Sequence, residues 1–441
     1  MRILWVCNSV PRRVAAVLGK VKSNKEGWID GALGRLEENG LLKDDGAEEN
    51  FSLALACPAS DKPELSGTYL CNKAILGNGN SLSVYEFYED TVHPENYDAK
   101  EELSFEGIIK DYEPDIVHVF GTEYGHTLAA GRVVNRFRNN GSAVKLIIGI
   151  QGVISECALR YADGVPEDVI KAETFRDIIK NDNIDKQRQK FAKRGEYELE
   201  AITYATDIIG RTDFDREWSH KHNPSATYHL LNETLRSEFY FGTWDVTSCD
   251  RHVIFMSQGD YPLKGLHNIL KVMPGIRERY PDARLVIAGS DLTRTDGIKN
   301  KLKLSSYGRY LRRLIAEGNL ADAVEFTGPL DAGQMKKRYL SCHTYICASS
   351  IENSPNSMGK AMMLAVPVIA AKTGGIPSMI EDRAEGLLFD NADMVPDLID
   401  KIWSDDGYAT ELGAAAMNRA SATHNPERNS DRLLEIYEEL S

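Results

Sequence analysis

Residues 349–360 read Ser-Ser-Ile-Glu-Asn-Ser-Pro-Asn-Ser-Met-Gly-Lys, a polar segment between two apolar runs. Its chemistry centres on Glu352 and on Lys360, eight positions later. A carboxylate accepts paired hydrogen bonds from a vicinal diol, whereas an ammonium offers donors only. The elements that must position these groups are legible beside them. Tyr345-Ile346-Cys347-Ala348 closes a β-branched, aromatic run that predicts a buried strand. The polar stretch around Pro355 predicts a loop. From Ser357 onward Met358, Ala361, Met362 and Ala365 fall at helical spacing, and Val366-Pro367-Val368-Ile369-Ala370 predicts the next strand. Strand, loop, helix, strand is the repeating unit of a parallel sheet. Such sheets bind ligands where a loop leaves the carboxyl end of a strand, and the free N–H groups opening the helix suit an anion such as phosphate.

The rest of the chain fits that frame. At 441 residues it is long enough for two domains, and 42% hydrophobic with 27% charged residues is a globular composition. A formal charge of −14 argues against a general nucleic-acid binder. Seven cysteines without a C-x-x-C pair predict reduced thiols and a cytoplasmic setting. The absence of a long apolar run or leader predicts a chain that does not cross a membrane. Strands are expected at 2–8, 51–57, 116–120, 145–150, 207–210 and 226–229, and residues 67–90 read as a strand pair or an irregular excursion around Gly77-Asn78-Gly79-Asn80. Helices are expected at 28–39, 100–111 and 126–139, with a long charged pair across 166–205. A second α/β series begins near Arg251. Its strands are expected at 252–256, 284–288, 323–326, 344–348, 367–370 and 386–389, and its helices at 265–280, 306–317, 332–340 and 357–364. Residues 239–250 read as a linker.

With these residues in view, the chain resembles the retaining family-4 (group 1) glycosyltransferases of GT-B fold. The resemblance implies an α/β protein of two doubly wound Rossmann-like domains with an interdomain cleft. An acceptor domain would span 1–245 and a nucleotide-sugar domain 246–424, with a last helix at about 425–441 packing back on the first. It also implies sugar transfer with retention, from a nucleotide-sugar substrate to a saccharide or lipid-linked acceptor, with no cofactor and no metal. Cell-surface polysaccharide or glycolipid synthesis is the expected setting. The alternatives are a sugar phosphorylase, a nucleotide-sugar epimerase, or a non-catalytic sugar-binding protein on the same fold.

The resemblance assigns roles residue by residue. Glu352 and Lys264 take the catalytic positions. Gln258, Gly265, Gly328, Leu330, Asn356, Ser357, Met358, Lys360, Gly374 and Gly375 take donor-binding positions. A fixed ammonium at Lys264 would stabilise the charge that builds on a leaving diphosphate. Gly27, Trp28, Thr122, Glu123 and Gln151 take acceptor-side positions, although Glu26-Gly27-Trp28 reads equally well as a plain loop-to-helix junction. His118 reads as a packed sheet residue rather than a base. Three positions depart from the family pattern. Lys360 replaces a glutamate that contacts ribose, Gln151 stands where many relatives have histidine, and Gln258 or Gly259 stands where an arginine is usual. Lys360 could meet an anion, point to solvent, or mark a degraded site, and solvent is the preferred reading. On that reading Lys360→Glu tightens nucleotide-sugar binding. The basic run Lys186-Gln-Arg-Gln-Lys-Phe-Ala-Lys-Arg194 reads as a solvated helix face or as a peripheral contact with the inner face of an anionic membrane.

Overall fold

The computed structural model describes residues 1–20, 27–38, 52–77 and 79–441, with the side chain of Trp28 excepted. The chain divides into two compact units. The first comprises Met1–Ser155, Phe191–Arg236 and His424–Ser441, and the second Glu156–Lys190 and Ser237–Thr423. Residues 156–190 thus pack with the second unit, not with the first, where the sequence expectation puts everything up to residue 245.

In the first unit the strands are β1 (Arg2–Val6), β2 (Ser52–Pro58), β3 (Tyr69–Ile75), β4 (Ser81–Phe87), β5 (Ile116–Phe120), β6 (Lys145–Gly149), β7 (Asp207–Gly210) and β8 (Thr227–Leu230). They form one sheet in the order β3-β4-β2-β1-β5-β6-β7-β8. All neighbours are parallel except the β3–β4 hairpin. Apolar clusters cover both faces: Leu4, Val6, Val117 and Val119 point to one, and Ile3, Trp5, Ile116 and Phe120 to the other. Burial on both sides is why these strands read as continuous apolar runs. Connections leave β1 toward β2 on one side and β5 on the other, so the sheet reverses direction between β1 and β5.

The chain's last helix, Pro426–Glu439, belongs to this first unit. Tyr437 is fully buried. Its hydroxyl lies 2.7 Å from Trp5 Nε1 and 2.7 Å from His118 Nδ1. The indole can only donate, so the hydroxyl accepts from Trp5, and its second contact, with His118 Nδ1, suits either neutral tautomer of the imidazole. Burial depresses the His118 pKa to about 3, in keeping with the reading as a packed sheet histidine.

The second unit holds β9 (Val253–Met256), β10 (Arg284–Ile287), β11 (Val324–Phe326), β12 (Thr344–Cys347), β13 (Val368–Ala371) and β14 (Leu387–Phe389). Their order is β11-β10-β9-β12-β13-β14, all parallel, with reversal between β9 and β12. Residues 239–250 do not hang free as a linker. Trp244 is buried, and its indole donates to Cys342 O at 2.7 Å while its main-chain N–H donates to Leu364 O.

The long helix pair expected across 166–205 is instead three separate helices, Glu167–Lys171, Phe175–Lys180 and Ile184–Ala201. A capping box at Thr174 and Asp177 starts the middle one afresh, and Asn181, in the left-handed region at φ 50°, ends it. Five α-helices among the described residues go unread in the sequence: Arg12–Val17, Ile154–Arg160, Asp213–His222, Gly297–Lys303 and Ile376–Met379. The expected starts at Asn78, Phe51 and Glu26 lie outside the described residues. None of the seven cysteines is joined in a disulfide. Among the described residues no helix is long and apolar enough to cross a membrane.

Candidate functional site

The reversal point of the second sheet carries the densest set of candidate residues. After β9 the chain runs through Ser257 and Gln258 into a single turn, Pro262–Lys264, ended by Gly265 at φ +71°. A Cβ at Gly265 would collide with the main-chain oxygen of Ala348, just past β12. Only glycine allows this approach. Ser350 N–H closes the junction by donating to Leu263 O at 2.8 Å. The result brings two residues 88 positions apart into contact: Lys264 Nζ lies 2.5 Å from Glu352 Oε1. Ser349 Oγ donates to the same oxygen at 2.7 Å. Each side chain of the pair is 17% exposed. Burial opposes the Lys264 ammonium, but the Glu352 carboxylate more than offsets it and holds the lysine pKa above its usual value.

The glycine pair after β13 acts on the main chain of Glu352. Gly374 sits at φ +51°, where a Cβ would strike Glu352 O, and Gly375 N–H donates to that oxygen at 2.9 Å. Thr373 Oγ1 donates to Ser350 O at 2.8 Å. Gly374 and Gly375 thus fix the loop that presents Glu352 and do not themselves line the pocket.

That pocket gathers Gln258, Lys264, Glu352, Ser357 and Lys360. It also takes in Ser257, Met335, Tyr339, Tyr345 and Ser349, which carry no assignment from the sequence. Tyr345 reads there only as a strand residue, yet its hydroxyl is 3.0 Å from Ser257 Oγ, at the mouth of the reversal. Lys360 does not run out to open solvent. It is half-buried, with its ammonium 5.1 Å from the centre of the Phe239 ring. The helix behind it is Asn356–Met363, so Lys360 falls past the first turn and opposes the helix dipole less than a start at Ser357 would imply. Pro355 stands at its N-cap with no side-chain cap. Met358 is fully buried in the core. Gly328, at φ +76°, pairs with Gly289 through two main-chain hydrogen bonds beyond β10 and β11. Neither Gly328, Leu330, Asn356 nor Gly265 lines the pocket.

In the first unit the acceptor-side candidates separate. Thr122 is buried and donates to Glu198 Oε1 at 2.5 Å. Glu198 also accepts from Ile154 N at 2.9 Å and Ser155 N at 2.7 Å, capping the helix that starts there. Burial, partly offset by these donors, raises the Glu198 pKa to about 7. Glu123 is half-buried. Burial raises its pKa, and Arg194 and Asn8 Nδ2 at 3.4 Å pull the other way. Gly27 opens the helix Gly27–Glu38, with the Arg236 side chain against it.

Gln151 lines a different cavity, at the carboxyl ends of β5 to β8, together with His118, Arg211, Asn232, Glu233 and Ser430. Arg211 Nη1 pairs with Glu233 Oε1 at 2.6 Å, both side chains 5% exposed, and Arg211 also donates to Ile150 O. Sequence reasoning misses this pair. The one local signal is the Thr212-x-x-Asp215 capping box, which starts a helix directly after Arg211. The basic run 186–194 is largely engaged within the chain. Lys186 pairs with Glu173, Arg188 with Asp185 and Lys193 with Glu196, while Arg194 donates to Glu123 O.

Residues 247–419 match the family model described as glycosyl transferases group 1. Spore coat protein SA of Bacillus subtilis is 25% identical over 181 residues, 40% of this chain and 46% of that protein. A GDP-mannose-dependent alpha-(1-6)-phosphatidylinositol monomannoside mannosyltransferase of Mycobacterium tuberculosis is 27% identical over 170 residues, 36% of this chain and 40% of that protein. The chain thus spans less than half the length of these relatives. Among solved structures, sucrose-phosphate synthase from Thermosynechococcus elongatus superposes with a TM-score of 0.67 at 16% identity, covering 100% of this chain and 99% of that one. HepE from Anabaena, solved in complex with UDP, gives 0.63 at 13% identity and full coverage of both. The two-unit α/β architecture is the GT-B fold.

Proposed function

We propose that this chain, whose residues 247–419 belong to the group 1 glycosyl transferases, moves a sugar from a nucleotide-sugar donor to a saccharide or lipid-linked acceptor with retention at the anomeric carbon. One observation carries the reading. Lys264 and Glu352 meet at the reversal point of the second sheet, in a pocket that Lys360 also lines. Open α/β sheets bind nucleotides at that point. Neighbours of this fold solved with UDP, and relatives named for GDP-mannose, support a nucleoside diphosphate as leaving group.

Lys264 is the fixed cation for the departing diphosphate. Its charge sits where negative charge grows as the glycosidic bond breaks, so it favours the transition state over the ground state. Glu352 accepts hydrogen bonds from the donor sugar's hydroxyls, with its main chain held by Gly375. Lys360 adds a second positive charge in place of the carboxylate that the family places on ribose. On the acceptor side, Gln151 has no proton to exchange. The acceptor hydroxyl therefore passes its proton to the leaving phosphate oxygen as its own oxygen bonds to the anomeric carbon and the carbon–phosphate oxygen bond breaks. No metal has a part in this scheme, and transfer should persist in excess EDTA. The cavity beside Gln151, with its internally neutral Arg211–Glu233 pair, suits an uncharged polyhydroxylated acceptor unit.

The test is nucleotide release from a panel of UDP-, GDP- and ADP-sugars, with and without saccharide acceptors. Release from one donor, at a slow rate even without acceptor, is the expected result. Consumption of orthophosphate would point to a phosphorylase. Binding without release from any donor would leave a sugar-nucleotide-binding protein and overturn the proposal.

A further inference from the structure

Two short helices of the second unit carry their apolar residues outward. In Phe175–Lys180, Phe175, Ile178 and Ile179 are 60, 62 and 64% exposed, while Asp177 is fully buried. Positions i, i+3 and i+4 share one helix face, so these three form a single apolar stripe directed at solvent. The buried Asp177 explains the inversion. One of its oxygens accepts from Thr174 N and from Ser306 N at 2.8 Å, which locks the helix to the start of Ser306–Glu317. The stripe therefore cannot roll inward without losing this anchor.

The helix Gly297–Lys303 packs beside it. There Ile298 is 79% and Leu302 49% exposed, again on one face at i and i+4. Lys299, Lys301 and Lys303 surround them, all exposed, as is Lys180 at the end of the neighbouring helix. None of these four lysines forms an ion pair among the described residues. The acids alongside are engaged elsewhere: Asp182 with Arg176, Glu173 with Lys186, and Asp296 with Arg294.

Five large apolar side chains standing out beside four uncompensated lysines is an unusual surface for a chain of formal charge −14. An acidic protein partner would match the lysines but leaves the isolated, protruding Phe and Ile side chains without a stated pocket. The anionic face of a lipid bilayer accommodates both at once. Apolar side chains enter the acyl boundary while lysines stay at the headgroups. We propose that the paired helices 175–180 and 297–303 are a peripheral docking surface for anionic lipid bilayers, in place of the 186–194 run. This inference is independent of the donor-site reading, because docking is measured without any sugar nucleotide.

The experiment is co-sedimentation of the full chain with phosphatidylcholine vesicles and with vesicles that also contain phosphatidylglycerol. Binding to the anionic vesicles alone, weakened by added salt, is expected. A headgroup-adjacent lysine is worth roughly fivefold in partitioning. The triple variant K299A/K301A/K303A should therefore lose on the order of 100-fold, and I178S/I179S should lose comparable binding at unchanged net charge. Both variants expose only side chains that are already exposed, so their melting temperatures should match the parent's. Equal binding to neutral and anionic vesicles, or no loss in either variant, overturns the proposal. So does self-association of the parent that I178S/I179S abolishes while vesicle binding is absent, since the surface would then join two copies of the chain.

Discussion

Glu352→Gln should separate the two partners at the proposed donor site. Lys264 Nζ and Glu352 Oε1 stand 2.5 Å apart, with both side chains 17% exposed. A diphosphate entering the pocket must share the ammonium with this carboxylate and also approaches the carboxylate's own negative charge. Two unit charges about 4 Å apart interact by roughly 4 kcal/mol at an effective dielectric constant of about 20. Solvent access to both groups reduces that, and a working figure is about 1–2 kcal/mol. Glutamine keeps the size and an acceptor for Ser349 Oγ but removes the charge. Binding of UDP or GDP, measured by titration calorimetry, should therefore tighten by roughly 5- to 30-fold. Sugar transfer should fall by about 100-fold or more, because the hydroxyl contacts lose a charged acceptor. Opposite signs for affinity and turnover are the signature. Nucleotide affinity that is unchanged or weaker in Glu352→Gln would refute the idea that the carboxylate competes for Lys264.

Lys360→Glu gives a sharper version of the same electrostatics. The pocket geometry, with Lys360 and Lys264 lining the same pocket, predicts nucleotide affinity about tenfold weaker, the reverse of what a solvent-facing lysine implies. Calorimetry with UDP distinguishes the two by sign. Glu198 has its pKa raised to about 7, above its unfolded value, so its stabilising contribution is full at low pH and is lost as pH rises through about 7. Glu198→Gln should flatten the fall in unfolding midpoint between about pH 4.5 and 7, as followed by circular dichroism; a profile parallel to the parent's would count against the burial argument. Tyr437→Phe leaves Trp5 Nε1 and His118 Nδ1 without their shared hydroxyl. It should cost about 2–3 kcal/mol, read as a lower urea midpoint, and a loss under about 0.5 kcal/mol would mean that the two groups find other partners.

Much of this protein was legible in the chain because its signals are local. Strands buried on both faces must be apolar throughout, so β1, β5, β9 and β12 stand out within a residue or two of their ends. Turn glycines such as Gly265 and Gly374 are readable too, since glycine enters the left-handed region without steric cost. The division of 166–205 into separate helices escaped, because part of what defines it is not local. Phe175–Lys180 exists because a buried aspartate ties it to residue 306, and its outward apolar stripe inverts the pattern by which helices are found.

The amino-acid sequence by itself determined the α/β alternation, the family resemblance, and the choice of Glu352, Lys264 and Lys360 as candidate site residues. Only the tertiary structure decided what they touch. Residues 88 positions apart meet because β9 and β12 are adjacent across a crossover and two glycines let their loops close to contact distance. The same long-range pairing turned Gly374 and Gly375 into supports for Glu352 and set Lys360 on Phe239. It also produced the Arg211–Glu233 pair, which no local spacing announces. Residue type fixes which interactions a side chain can make, but the crossover topology selects its partner, and here that selection put a carboxylate on the cation proposed to receive the phosphate.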